Sequence, residues 1–224
     1  MYNPEWAPSP NFAKGRRGYK PLAIVDHITD GSYPGSLDWL RNPASKVSTH
    51  YSVTRAGQIF QMVKEEDTAW GNGRVYGPTW SGLIKNLGFV VNPNYYTISI
   101  EHEGFPYEPL TEAQYQATLW LHTQIIDRYD FPIDDNHIIG HYRIYALKPN
   151  CPGRNFPWEK LFADLAQTRV SPSNSYEQVM INVAGTQIQG LWINDRAYAP
   201  VRDLMDAMGH SVQWSQQTKE VDVE

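Results

Sequence analysis

The sequence is organised around residues 140–153, which begin as Gly140-His141-Tyr142 and end as Asn150-Cys151-Pro152-Gly153. Cys151 is the only cysteine of the chain, so it cannot form an internal disulfide. It follows His141 by ten positions, and His141 follows the short apolar run Ile138-Ile139. A thiolate held in a proline-rich turn and an imidazole at the end of a strand are both good zinc ligands.

Two ligands do not make a metal site, so a third has to come from elsewhere in the chain. The best candidate is His27, which closes the apolar run of residues 22–25 one position after Asp26. Two neutral imidazoles and one thiolate leave one tetrahedral position open for water, which is typical of a catalytic zinc. The alternative is a buried cysteine with two strand-end histidines that are satisfied by hydrogen bonds.

A catalytic zinc needs a nearby group that takes a proton from the attacking water. Glu101 fits this role because it interrupts an otherwise buried strand, where a carboxylate either faces a cleft or costs stability. Strand alternation places Glu103 on the same side, so periodicity alone does not choose between the two. Lys148 lies three residues before Cys151 and could stabilise an oxyanion, unless it is simply a lysine in a solvent-facing loop.

The loop of residues 64–94 is rich in glycine and aromatic residues, which indicates a functional surface or an irregular segment. Trp70, Tyr76 and Trp80 are candidates for stacking on sugar rings, and the alternative is that they pack the loop onto the domain. His50 is a further candidate for substrate binding. His122 lies on the apolar face of a predicted helix, and we expect it to be packed in the core.

Composition and charge restrict the function. The 224 residues carry a net charge of -5, and no basic stripe exists to neutralise phosphates, so nucleic acid is not expected as a partner. No run approaches the roughly 20 apolar residues that cross a bilayer, so no membrane partner is expected either. Residues 1–6 have neither a charged start nor an apolar segment, so we expect no secretory signal and synthesis in the cytoplasm.

Short apolar runs that alternate with helical patterns predict an α/β domain over residues 1–167. Residues 168–178, which contain Ser171-Pro172-Ser173-Asn174-Ser175, are predicted to be a linker. Residues 179–224 are predicted to form a small α+β module. The last 50 residues contain three basic and seven acidic side chains and therefore carry -4 of the net charge.

Taken together, these residues resemble the zinc-dependent N-acetylmuramoyl-L-alanine amidases of the type-2 amidase and peptidoglycan-recognition family. The resemblance covers roughly residues 8–166. It rests on Ser9-Pro10-Asn11-Phe12, Ile24-Val25-Asp26-His27-Ile28-Thr29, Ser48-Thr49-His50-Tyr51, Asp67-Thr68-Ala69-Trp70, Thr97-Ile98-Ser99-Ile100-Glu101-His102-Glu103-Gly104, Ile139-Gly140-His141 and Asn150-Cys151-Pro152-Gly153.

The resemblance implies a central mixed β-sheet flanked by helices, with a Zn²⁺ site in a surface groove. It places the metal ligands on His27, His141 and Cys151 and the catalytic glutamate on Glu101. It also implies a muramyl peptide of peptidoglycan as substrate, cleaved at the amide between N-acetylmuramic acid and L-alanine.

Three positions depart from the pattern of many family members. Gly71 stands where a histidine follows the Ala-Trp pair. Thr49 stands where some phage enzymes carry a tyrosine. Pro149 stands where several members carry a catalytic lysine, with Lys148 one position further from the last ligand, so the tyrosine and lysine roles stay open.

The C-terminal residues resemble the stalk-like module named after the N-terminal domain of copper amine oxidase, which implies no copper here. Its pattern matches Gly185, residues 193–202, Met208-Gly209-His210 and Val212-Gln213-Trp214. We therefore expect a peptidoglycan hydrolase of the endolysin or autolysin type, of phage, prophage or Gram-positive origin, that reaches the wall on release or lysis.

Two alternatives remain open. One is a non-catalytic peptidoglycan receptor, although receptor-type members of the family typically lack the ligand that Cys151 matches. The other is a cytoplasmic amidase that recycles muropeptides, although those enzymes are normally single-domain. The sequence does not determine the oligomeric state.

Overall fold

The computed structural model describes residues 2–81, 91–170, 177–193, 196–215 and 220–223. The chain divides into two compact units, Met1–Thr168 and Arg169–Glu224. The serine-rich stretch of the predicted linker, residues 171–175, lies outside the described residues. Within the described ranges, no helix is both long enough and apolar enough to cross a membrane.

The first unit contains eight described strands and three described α-helices. In chain order the strands are β1 (Glu5–Trp6), β2 (Phe12–Ala13), β3 (Ala23–Ile28), β4 (Tyr51–Val53), β5 (Ile59–Gln61), β6 (Thr68–Ala69), β7 (Thr97–His102) and β8 (Ile138–Gly140). The helices are α1 (Gly35–Arg41), α2 (Glu112–Tyr129) and α3 (Trp158–Val170). Short 3-10 helices cover Pro43–Ser45, Pro93–Tyr96 and His141–Arg143.

A six-stranded sheet in the order β1-β5-β4-β7-β3-β8 forms the centre of this unit. The β4-β5 pair is antiparallel and the other pairs are parallel. The predicted mixed sheet with flanking helices is therefore confirmed. Parallel strands gather their carboxyl ends at one edge of a sheet, and β3, β7 and β8 all end at the same edge.

Strand β3 is buried on both faces, as its continuous apolar sequence predicts. Ile24 contacts the core that also contains Leu121 of α2 and Leu161 of α3. Val25 packs on the opposite face with Trp80 and other buried residues. By the same alternation, Asp26 points towards the α2 side and His27 towards the other face.

The cap of α2 differs from its sequence pattern in one respect. The sequence Thr111-Glu112-Ala113-Gln114 has the capping-box pattern, and the side chain of Thr111 accepts a hydrogen bond from the backbone N–H of Gln114 as that pattern requires. The amide of Gln114 does not return this bond, because its Nε2 donates to the carbonyls of Val53 and Glu103 at 3.1 and 2.9 Å. Gln114 therefore joins the helix to the sheet.

The second unit has antiparallel strands and one helix. Strands β9 (Glu177–Val183), β10 (Thr186–Ile193) and β11 (Arg196–Tyr198) form a sheet in the order β11-β10-β9. Helix α4 (Val201–Met208) ends at Gly209, whose φ of 79° is left-handed, and β12 (Val212–Ser215) pairs with β13 (Glu220–Val223). Residues 194 and 195 of the predicted stalk pattern lie outside the described residues.

Candidate active site

The ends of three parallel strands bring the candidate side chains together. His27 lies opposite Glu101 in the register of β3 and β7. Asp26 lies opposite Gly140 at the end of β8, so His141 follows immediately at the same edge. Cys151 returns to this point because the backbone N–H of Tyr142 donates to its carbonyl at 3.1 Å.

His27, His141 and Cys151 form a buried cluster with the donor set of a metal site. One potential ligand atom from each lies within 4.8 Å of the other two. Nδ1 of His27 is 3.9 Å from Sγ of Cys151, and a tetrahedral zinc would separate such atoms by about 3.6 Å. The three residues thus fit a metal ion with a small adjustment.

A hydrogen bond orients the imidazole of His141 and leaves its other ring nitrogen available. Nε2 of His141 is 2.9 Å from the carbonyl of Asn72 and donates to it, which leaves Nδ1 for a ligand. Among the described residues, Nδ1 of His141 and Nε2 of His27 are buried nitrogens without a hydrogen-bond partner. Such atoms need an occupant, because a buried polar group without a partner is costly.

The protonation states of the cluster follow from its burial. Burial, followed by the charge of His141 and that of Lys148, holds the pKa of His27 well below its usual value. Burial also lowers the pKa of His141 to about 4, so both rings are neutral at neutral pH. Burial and the nearby Glu101 raise the pKa of Cys151 to about 12, so a cation that binds here has to displace the thiol proton.

Glu101 lies beside this cluster with a free carboxylate oxygen. Its Oε2 is buried and has no partner among the described residues. Burial raises the pKa of Glu101 to about 8, and the positive charge of Lys148 acts in the opposite direction. A carboxyl group with a pKa near neutrality can both accept and donate a proton.

Glu103 has a different environment from Glu101. Its carboxylate accepts hydrogen bonds from the backbone N–H groups of Tyr33 and Arg55 at 2.9 and 2.7 Å. These bonds join the loops that follow β3 and β4. Glu103 therefore has a structural role, a distinction that strand alternation could not make.

A cavity of about 620 Å³ opens from the cluster. The exposed Lys148 lines this cavity together with Glu101. Loop residues 28–36 and helix α1 form another part of its lining. The residues lining the cavity are His27, Ile28, Thr29, Asp30, Gly31, Ser32, Gly35, Ser36, Trp39, Leu40, Val47, Ser48, Gly71, Glu101, His141, Lys148 and Cys151.

Two residues predicted to bind substrate are instead buried. Trp80 is 1% exposed, and its Nε1 donates to the carbonyl of Asn136 at 2.8 Å, so it cannot stack on a sugar. His50 is also 1% exposed, with its Nδ1 accepting from the backbone N–H of Ser99 and its Nε2 2.8 Å from Arg16 Nη2. Both predictions were wrong because apolar packing and backbone donors compete for these rings.

The other two candidate aromatic residues are not among the residues lining the cavity. Trp70 is partly buried, and its backbone N–H donates to Ser48 Oγ. Tyr76 is largely exposed, and its ring meets that of Tyr145, which in turn stacks on His141. Tyr76 thus lies one ring away from a predicted metal ligand.

Two of the positions that depart from the family pattern, Thr49 and Gly71, have described environments. The predicted packing of His122 in the core is confirmed. Thr49 is fully buried and its hydroxyl donates to the carbonyl of Ser99 at 2.8 Å, so it does not face the cavity. Gly71 lines the cavity, and an added Cβ would lie 3.0 Å from Ser99 Oγ. His122 is fully buried in α2, with its Nε2 3.2 Å from the carboxylate of Asp26.

Sequence reasoning missed Asn72, which orients His141. Its backbone N–H donates to Asn94 Oδ1 and its Nδ2 donates to Thr97 Oγ1, so the loop is held beside the sheet edge that carries the His-His-Cys cluster. No local pattern marks this residue, because the contact with His141 joins positions 69 residues apart. Trp39 of α1 was also missed, although an exposed tryptophan beside polar loop residues was a usable signal.

The sequence profile of the N-acetylmuramoyl-L-alanine amidase family matches residues 17–154. N-acetylmuramoyl-L-alanine amidase A of Achromobacter lyticus is 35% identical over 100 residues, which are 44% of this chain and 46% of that protein. The chain therefore spans less than half the length of this relative.

Two further similarities cover more of the chain. The 1,6-anhydro-N-acetylmuramyl-L-alanine amidase AmpD of Haemophilus influenzae is 30% identical over 142 residues, which are 61% of this chain and 71% of that one. The structure of the amidase AmiD from E. coli, solved with anhydro-N-acetylmuramic acid-L-Ala-D-gamma-Glu-L-Lys, superposes with a TM-score of 0.55 at 27% identity. That superposition covers 65% of this chain and 57% of AmiD.

Proposed function

The chain belongs to the N-acetylmuramoyl-L-alanine amidase family, and we propose that it hydrolyses the amide between the lactyl group of N-acetylmuramic acid and the L-alanine of a stem peptide. One observation carries the proposal. The buried His-His-Cys cluster lies at the bottom of an open cavity, next to a carboxylate with a free oxygen.

We assign His27, His141 and Cys151 as the ligands of a Zn²⁺ ion. Nitrogen and thiolate donors favour zinc over magnesium or calcium, which prefer oxygen. When bound, zinc polarises a carbonyl and lowers the pKa of water, and the three ligands leave one position open for this chemistry. Asn72 keeps the ring of His141 in the tautomer that presents Nδ1.

Glu101 acts as the general base and then as the general acid. Its ionised form accepts a proton from the attacking water, and its protonated form returns that proton to the leaving amine. Lys148 keeps part of Glu101 ionised at neutral pH and presents a positive charge to the developing oxyanion. Tyr76 and Trp70 remain candidate contacts for the more distant parts of the substrate.

The central experiment measures zinc content and amidase activity for the wild type and for Glu101→Gln. We expect Glu101→Gln to keep one zinc per chain and to lose about a hundredfold or more in kcat. Glu103→Gln serves as the matched control, because it should keep kcat while lowering Tm through its weakened backbone contacts. Zinc loss in Glu101→Gln, or unchanged kcat, would contradict the assignment.

The physiological substrate is either intact wall or soluble fragments. The acidic second unit gives little electrostatic attraction to anionic wall polymers, so we propose that it either binds wall through shape and aromatic contacts or acts as a spacer. The chain would then act as an endolysin or autolysin that reaches the wall on release or lysis. Retention of residues 175–224 alone on purified cell walls tests wall binding, and no retention refutes wall binding and leaves the spacer role.

Similarity to AmpD favours a second candidate, the recycling of soluble muropeptides, because that relative is named for a 1,6-anhydro substrate. The two functions are distinguished by comparing release of stem peptide from intact sacculi with hydrolysis of a soluble muramyl tripeptide. Activity on sacculi supports a wall hydrolase. Hydrolysis of the soluble fragment alone supports recycling.

A further inference from the structure

Trp39 is the largest exposed apolar side chain that lines the active-site cavity. It is 57% exposed and lies on helix α1, in the same cavity as Glu101 and Lys148. An indole side chain that stays half exposed to water at the wall of a cavity lacks much of the stabilisation that full burial would provide. This arrangement is typical of an aromatic residue whose face is covered by a ligand.

Helix α1, which forms the cavity wall that carries Trp39, is fixed by contacts with the domain beneath it. Leu37 and Leu40 pack in a small core with Phe60 and Met62, and Leu40 also forms part of the cavity lining. Ser9 Oγ donates to the carbonyl of Leu40 at 2.6 Å. Apolar packing and this hydrogen bond therefore hold α1 along its length and not only at its ends.

The segment that follows the helix is anchored by Asn11. Its Nδ2 donates to the carbonyls of Asn42 and Val47 at 2.8 and 3.0 Å. Ser9 and Asn11 belong to a stretch that supports the family resemblance, and neither lines the cavity nor touches the metal ligands. Their contacts indicate that this stretch supports the wall on which Trp39 lies.

The chemistry of this wall fits a neutral, hydroxyl-rich ligand. Ser32 and Ser36 add hydroxyl groups, and Asp30 adds an exposed carboxylate that can accept hydrogen bonds from sugar hydroxyls. Of the described residues that line the cavity, Lys148 is the sole lysine or arginine. A stem peptide carries free carboxylates, which Asp30 would repel, whereas the saccharide of a muramyl peptide amidated at its lactyl group carries no charge.

We propose that the α1 wall is a saccharide subsite, in which a sugar ring of the substrate stacks on Trp39 while its hydroxyls bind Asp30, Ser32 and Ser36. This inference rests on the proposed amidase function and adds to it the orientation of the substrate. The glycan lies along α1, and the stem peptide leaves the scissile amide in the direction of Lys148.

The test compares two soluble substrates that share the scissile amide. One is a muramyl tripeptide, and the other is the same tripeptide acylated with D-lactate alone, which lacks the sugar ring. We expect Trp39→Ala to raise KM for the muramyl tripeptide about tenfold with little change in kcat. The D-lactyl tripeptide should be cleaved with unchanged kcat/KM, and Trp39→Tyr should restore most of the KM for the sugar-bearing substrate.

Trp6→Ala provides the matched control. Trp6 is 50% exposed but lines a different cavity, so its loss should leave both substrates unaffected. Equal effects of Trp39→Ala on both substrates, or no effect on either, would overturn the subsite. An inactive wild type with zinc bound would instead contradict the amidase function, so the two failures are distinguishable.

A binding measurement tests the subsite without catalysis. The disaccharide of N-acetylglucosamine and N-acetylmuramic acid, with no peptide, is titrated into the full-length Glu101→Gln variant while its tryptophan fluorescence is followed. A saturable change that is lost when Trp39→Ala is added supports the subsite. A change of the same size in that double variant would place the saccharide elsewhere and overturn it.

Discussion

At the scale of single residues, Glu101 and Glu103 differ because their partners differ, although both carboxylates belong to one strand and its extension. Two backbone N–H groups donate to the carboxylate of Glu103, whereas Glu101 lies beside the His-His-Cys cluster with one oxygen that has no partner among the described residues. Neighbouring groups therefore determine whether a carboxylate is structural or reactive. Neighbouring groups likewise determine the protonation of the cluster residues and of the buried histidines.

Cys151 should dominate the affinity for zinc. Replacement of a partner beyond the ligands typically costs 10- to 100-fold in metal affinity, so we expect Cys151→Ser to lose more than about a hundredfold. Zinc at about 100 times its Kd should stabilise the wild type by about 2.7 kcal/mol and Cys151→Ser much less. Calorimetric titration and thermal melts with and without zinc measure both effects, and equal zinc-induced shifts in Tm would contradict them.

His50 should make stability depend on pH. Burial, and then the charge of Arg16, lowers the pKa of His50 to about 3, whereas the unfolded chain takes up this proton near its ordinary value of about 6.5. Stability from this group is therefore complete above about pH 6.5 and is lost as the pH falls, by about 2 kcal/mol at about pH 5.

The pKa values of the buried His27, His102 and His141 are also lowered and act in the same direction, whereas that of His122 is raised and acts in the opposite one, so the measurement compares two chains. Urea unfolding at several pH values should give a shallower loss for His50→Gln than for the wild type between about pH 7 and about pH 5. Parallel profiles would show that His50 is not the group responsible.

At the scale of elements, the β4-β5 hairpin is joined to the start of α2 through a glycine. Gly57 has a φ of 83°, and a Cβ at this position would lie 2.7 Å from the carbonyl oxygen of Ala113. The strand-like runs on either side of Arg55-Ala56-Gly57 are typical of a hairpin, β4 and β5 pair as one, and their turn lies against the backbone of α2. Nothing in the local sequence indicates this close approach.

Gly57→Ala should therefore destabilise the first unit by about 2–4 kcal/mol, through strain of the left-handed backbone and through the clash. Gly18→Ala is the matched control, because Gly18 has a φ of 86° but open space around its missing Cβ. It should lose only about 1 kcal/mol. Thermal or urea unfolding measures both values, and equal losses would exclude a contribution from the contact with Ala113.

At the scale of the whole molecule, the described His-His-Cys cluster and its cavity lie entirely within Met1–Thr168. A chain that ends at Thr168 should therefore keep its zinc and cleave a soluble muramyl peptide with a kcat/KM within about twofold of the full chain. Its activity on sacculi should fall if the second unit binds wall. Loss of soluble activity on truncation would show that the second unit contributes to catalysis.

Much of the fold could be predicted from sequence because the apolar runs are short, strongly patterned and separated by clear breaks. Strands β3 and β8, which end at Ile28 and Gly140, are buried along nearly their whole length, and a short continuous apolar run is the signature of such strands. The cap that Thr111 provides to α2 could be predicted, but the contacts of Gln114 with the sheet could not. The roles of Trp80 and His50 could not be predicted either, because burial depends on neighbours that are distant in the chain.

By itself, the sequence determined that the chain belongs to the amidase family and which three side chains form the cluster, since residue type and strand-end position carry that information. Only the tertiary structure decided that Glu101 keeps a free oxygen while Glu103 does not, that Asn72 orients His141, and that Trp39 lines the cavity. These properties depend on contacts between residues that are 50 or more positions apart or on different loops. Local patterns of hydrophobicity and turn formation do not encode such contacts.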